Sequence, residues 1–83
     1  MTPAELSTLF LRALRRKSPM TEAELVLVAQ SVFGKECDAS TAREQLRDLD
    51  DCGLVTAETD ADGILPKTYA LTIKGQHKAK NLG

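Results

Sequence analysis

The stretch STAREQLRDLDDCGLV, residues 40–55, decides how this chain is read. Ala42, Leu46 and Leu49 recur at helical spacing, with Gln45 beside them as a part-buried position. The pattern stops at Cys52-Gly53. Glycine enters the left-handed conformation that ends helices, and Leu54 follows where a closing apolar contact is common. From Leu54 to Thr59 the pattern reads as a strand. A helix of residues 40–52 that hands straight over to a strand is the feature around which the rest is arranged.

Upstream, Thr2-Pro-Ala-Glu5 and Thr21-Glu-Ala-Glu24 both have the capping-box form, in which the Thr hydroxyl and the Glu carboxylate each satisfy an unpaired amide at a helix start. Thr41-Ala-Arg-Glu44 has the same form, although Asp38 or Ser40 could cap that helix instead. The first helix carries an apolar stripe at Leu6, Leu9, Phe10, Ala13 and Leu14, and Ser18-Pro19 closes it. The second has the stripe Leu25, Val28, Ala29, Val32 and Phe33, with Gly34 beyond its end. Val26 and Leu27 fall outside that stripe. This helix is therefore either a central one buried on several sides or one with an apolar surface for a partner. Downstream, Asp60-Ala-Asp-Gly63 reads as a turn with Asp62-Gly63 as a common hairpin pair, and Ile64 to Leu71 as the returning strand. Pro66 lacks an amide proton, so this second strand should lie at a sheet edge or be irregular there. Thr72 caps a last short helix reaching about Asn81, in which Gly75 should cost roughly 1 kcal/mol relative to Ala.

Eighty-three residues with 42% apolar and 28% charged side chains are enough for one globular domain, 1–83. The longest apolar run, Leu25 to Ala29, is far too short for a membrane span, and no basic-then-apolar leader opens the chain, so the expected location is cytoplasmic. Cys37, Cys52 and His77 are too few and too scattered for a metal centre or a disulfide framework, and plain thiols are expected. Glycine-rich phosphate loops, paired catalytic carboxylates and Cys/His nucleophile motifs are missing. No enzyme activity and no cofactor are expected.

The order helix, helix, helix, hairpin, helix, together with YALTIKG at residues 69–75, resembles the winged helix-turn-helix domain of PadR-like and MarR-like transcriptional regulators over residues 40–75. The resemblance implies an α+β fold with three helices, a two-stranded β-hairpin wing and a short C-terminal helix. It also implies a small regulator reading double-stranded DNA with helix 40–52. Two departures stand out. The Gly34–Ala39 segment is longer than the usual turn, and the long terminal helix by which such regulators commonly dimerise is missing. A homodimer or another protein partner is a further expectation.

With Ala42 and Leu46 turned inward, Ser40, Glu44, Arg47 and Asp51 point outward, flanked by Thr41, Arg43 and Asp48. Arg43 and Arg47 could read guanine or touch phosphate, and Ser40 and Thr41 could bond phosphate. Glu44 either accepts from cytosine or completes the helix cap, and Lys67 is the one base on the hairpin. Against this, the arginines could simply pair with Glu44, Asp48 and Asp51 along the helix. Charge complicates the picture: residues 1–20 carry +3, residues 21–66 carry −8 and residues 67–83 carry +4. Glu58, Asp60 and Asp62 make the wing acidic, which opposes a polyanion. Further phosphate contacts would have to come from Arg12, Arg15, Arg16 and Lys17, or from Lys74, Lys78 and Lys80. The competing expectation is a protein-interaction module docking through the acidic middle and the Val26-Leu27 strip.

Overall fold

The computed structural model describes residues 1–59 and 67–82. Helix α1 (Pro3–Arg16) leads to a short strand β1 (Met20–Thr21) and helix α2 (Glu22–Phe33). A 3₁₀ turn at Gly34–Glu36 precedes helix α3 (Ala39–Asp51). Strands β2 (Val55–Glu58) and β3 (Thr68–Leu71) and helix α4 (Ile73–Asn81) complete the order. The expected wing turn at residues 60–63, the strand start at Ile64 and Pro66 lie outside the described residues.

Both upstream capping boxes form as the sequence predicts: the Glu5 amide donates to the Thr2 hydroxyl and the Glu24 amide to that of Thr21, each over 3.1 Å. The third does not. Asp38 caps α3, accepting from the Thr41 amide over 2.7 Å, so the helix starts at Ala39 and Glu44 lies beyond its first turn. Of the three candidate caps, the carboxylate of Asp38 takes the position.

The sheet has the antiparallel order β1-β3-β2. β1 was not expected, because two residues show no periodicity. Met20 pairs with Tyr69, and Val55 pairs with Leu71 on the other side. Among the described residues β3 is therefore the central strand and not an edge, with β1 on the flank that the sequence left open; whether the chain is irregular at Pro66, the other alternative, lies outside the described residues.

The core is built around α1, whose Leu6, Phe10, Leu11 and Leu14 are all buried against α2, α3, β3 and α4. Leu11 lay outside the predicted stripe. It is only 1% exposed because α3 and α4 pack on that side as well. α2 gives the converse correction. Leu25 and Ala29 are buried, but Val32 is 58% and Leu27 65% exposed, so α1 and not α2 is the central helix. Cys37, held by the 3₁₀ turn, fills the core at 1% exposure, and burial pushes its thiol pKa up.

The junction between α3, β2 and α4 gives YALTIKG its physical meaning. Tyr69 is buried in the core. The Thr72 hydroxyl accepts from the Gly75 amide as the cap of α4 and donates to the Gly53 carbonyl over 2.6 Å. Gly53 has φ +76°, the left-handed conformation expected of it. Gly75 is buried, and a side chain there would run into the carbonyl of Leu54. The glycine that weakens α4 as a helix is what lets α4 sit against the backbone of Leu54, where the chain enters β2.

Candidate nucleic-acid interface

Ser40, Arg43, Glu44 and Arg47 are exposed along α3, Thr41 is half-buried at its first turn, and Lys67 is exposed at the base of the wing. The core residues Ala42, Leu46 and Leu49 fix this orientation, because burying them turns the opposite face outward. Gln45 faces α1, where its amide bonds the Ser7 hydroxyl. Asp38 at the helix start is held below the usual carboxylate range, mainly by the backbone hydrogen bond from Thr41.

Arg43 does not pair along its own helix. Its Nε lies 3.2 Å from a carboxylate oxygen of Glu22, at the first position of α2. The Glu22 amide in turn donates to the Lys67 carbonyl over 3.0 Å. Glu22 therefore joins the wing base to α3. Tyr69 lies behind this group, its hydroxyl pKa pushed up by burial and then by the charges of Glu22 and Asp50. Sequence inspection did not single out Glu22, and could not, since a capping-box start gives no sign of a partner twenty-one positions away. Among the described residues Arg47 has no ion-pair partner. With Nε paired to Glu22, the two terminal nitrogens of Arg43 take no part in that ion pair.

The candidate phosphate contacts are dispersed. Lys17 pairs with Glu24 over 3.0 Å, tying the end of α1 to the first turn of α2 and holding the Glu24 carboxyl below its ordinary range. Lys74 donates to the Cys52 carbonyl over 3.2 Å, and Lys78 lines a cleft with Gln45, Asp48 and Cys52. These two lysines flank the C-terminal end of α3. Arg12 donates to the Leu82 carbonyl over 2.7 Å, and Arg15 shares a concavity with Lys80. Arg16 is exposed. The two basic ends of the chain thus meet each other across α1 and α4, and only part of the second reaches α3. Glu58 is exposed on β2, while the acidic positions 60 and 62 lie outside the described residues.

Alongside α3 a concavity of about 550 Å³ is lined by Glu22, Ala23, Val26, Leu27, Ala39 and Arg43. It places the exposed apolar part of α2 next to the first turn of α3. Among the described residues, no cluster of His, Cys, Asp or Glu could hold a metal ion, and no helix is long and apolar enough to cross a membrane.

Three helices with a short strand after the first, two further strands that complete a three-stranded antiparallel sheet, and a closing helix form the winged helix-turn-helix fold found in transcriptional regulators. Solved structures with the same fold include a mutant of Lactococcus lactis ZitR in apo form, which superposes with a TM-score of 0.73 at 16% identity over 95% of this chain and 55% of its own. The transcriptional regulator SlyA gives 0.73 at 18% identity, over 92% of this chain and 49% of its own. Bacillus subtilis PadR in complex with operator DNA gives 0.65 at 23% identity, over 89% and 44%. The chain thus spans about half the length of the structures it resembles. The sequence matches no family model and has no significant match among curated proteins.

Proposed function

We propose that this domain binds duplex DNA as part of a transcriptional regulator, with the N-terminal half of α3 in the major groove. The observation that carries the reading is the exposed row Ser40, Arg43, Glu44 and Arg47 on the outward face of α3, with Lys67 at the adjoining wing base. The shared fold with PadR, whose structure contains operator DNA, supports duplex DNA as the ligand. In this reading Arg47 and the free end of Arg43 contact guanine edges, and Ser40 and Thr41 position the helix against phosphate. Glu44 no longer has a cap to complete and is available to accept from cytosine. Asp48 and Asp51 lie farther along the helix, where they keep its second half off the backbone. The expected mode is therefore an N-terminal approach of α3, not contact along its whole length.

The test is selection from a random-sequence duplex pool at low salt, followed by affinity measurement against salt concentration. Binding should weaken as salt rises, because phosphate contacts release counterions. Arg47→Ala should cost about 1–3 kcal/mol on the selected duplex and relax its preference at one base pair. Failure to retain any duplex at low salt would remove the reading.

A second reading has an observation of its own. Leu27, 65% exposed beside the apolar walls of Val26 and Ala23, would suit a protein-interaction module. It predicts that Leu27→Lys abolishes partner binding while the Arg47→Ala change has no effect on it.

A further inference from the structure

The basic residues that fail to reach α3 pose their own question. α1 and α4 pack side by side and carry Arg12, Arg15, Arg16, Lys74, Lys78 and Lys80, with Glu5 as their one acid. Some of these charges have local partners: Arg12 has the Leu82 carbonyl, and Lys74 has that of Cys52. Arg15 and Lys80 do not. Among the described residues neither has an ion-pair partner, yet both line one concavity of about 320 Å³ between the end of α1, β3 and α4. Ser18 and Gln76 add a hydroxyl and an amide, Leu14 and Leu71 form the apolar wall, and among the described residues no acid and no α3 residue takes part.

Helix dipoles favour cations near helix ends whether or not a ligand exists. They do not explain why two cations from distant parts of the chain line one concavity with no carboxylate among its described lining residues, in a protein with a net charge of −1. Like charges brought together repel, and an anion between them removes that cost. A guanidinium offers a planar fork of donors, an ammonium a point charge, and the hydroxyl and amide two more donors. Four groups that can donate around a space of this size suit a tetrahedral oxyanion.

We propose that the concavity formed by Arg15, Ser18, Gln76 and Lys80 is a phosphate-binding site separate from the α3 face. The phosphate comes either from a small phosphorylated molecule or from a nucleic-acid backbone, and the site is occupied independently of base reading by α3.

The test is NMR titration of the full chain with inorganic phosphate, with ionic strength held constant by chloride. The amide signals of Ser18 and Gln76 and the Arg15 side-chain Nε signal should shift and saturate. Arg15→Gln and Lys80→Gln should each weaken that binding at least about tenfold, equivalent to ~1.4 kcal/mol, with unchanged circular dichroism. Arg16→Gln, one position away but outside the concavity, should leave it within about twofold, less than ~0.5 kcal/mol. Arg47→Ala should leave phosphate binding untouched, which separates this site from the reading of α3. A second arm adds a mixed-sequence duplex. Displacement of phosphate from the Ser18 and Gln76 signals identifies the backbone as the source, whereas phosphate shifts that persist beside the duplex identify a small molecule. Shifts that fail to saturate, or that survive in both Arg15→Gln and Lys80→Gln, would overturn the proposal.

Discussion

α1 and α4 share a core with α2 and α3, yet the two helix pairs carry opposite charge. The first pair holds Arg12, Arg15, Arg16, Lys74, Lys78 and Lys80 against Glu5. The second holds Glu22, Glu24, Glu44, Asp48, Asp50 and Asp51 against Arg43 and Arg47. The net charge of −1 conceals this separation. The difference teaches that the helix in the recognition position of a winged-helix fold is not the most basic part of this domain. Such a charge distribution orients the molecule in an external field before any contact forms. A polyanion meeting it is drawn first to the α1–α4 side, and the α3 side must rely on the placement of a few groups.

The strongest way to break the comparison is to unseat α4. Gly75→Ala should raise the helix propensity of α4 by about 1 kcal/mol in isolation. In the folded domain the new methyl meets the Leu54 carbonyl, which belongs to rigid backbone at the β2 entry. The expected net result is a destabilisation of about 1–3 kcal/mol, read from urea unfolding. A stabilised variant would show that α4 is not fixed against the Leu54 backbone.

A smaller effect is expected at the start of α3. Asp38→Ala removes the cap and should cost about 1 kcal/mol, whereas Asp38→Asn should keep most of it, since both side chains cap well. The two variants also separate charge from geometry. Asp38 and Glu24 are both held below their ordinary values, by hydrogen bonds from Thr41 and from Lys17 and Thr21 respectively. Their folded-state values lie below the unfolded ones, so each stabilises fully above the ordinary carboxylate range near ~4 and loses that contribution as pH falls through its lowered value. Thermal midpoints measured between about pH 3 and pH 7 should therefore fall less steeply on the acid side in Asp38→Asn than in the wild type.

The smallest stability effect should come from Glu22→Gln. The Arg43–Glu22 pair is exposed on the arginine side, and such pairs contribute about 0–1 kcal/mol. Its value lies in sharpening the charge contrast. Releasing Arg43 removes one acid from the α3 side, so non-specific duplex affinity should rise while any preference that depends on a fixed guanidinium should fall. An unchanged affinity and preference in a duplex-binding protein would show that Glu22 does not position Arg43.

Local signals carried much of the fold. The Thr2 and Thr21 capping boxes, the exit at Gly53, and the Thr72 cap all stand where short-range sequence puts them. These features depend on atoms within a few positions of one another, which is why they are legible without the rest of the molecule. Strand β1 was not legible, because two residues have no periodicity and take their conformation from pairing with β3. The burial of Leu11 and the exposure of Val32 were missed for a related reason. A helical stripe shows which face is apolar, but the number of neighbouring elements decides how wide the buried sector becomes. At the candidate site, the outward row on α3 could be read from helical geometry, and the partner of Arg43 could not.

By itself the sequence determined the starts of α1, α2 and α4, the register of α3 and the order of helices and hairpin that makes a winged helix, because these follow from local hydrogen bonding and apolar spacing. Only the tertiary structure decided that the two basic ends meet each other, that Glu22 holds Arg43, and that α2 leaves Leu27 uncovered. Those outcomes depend on how packed helices cross, and residues far apart in the chain become neighbours only after the core around Phe10 and Leu46 has closed.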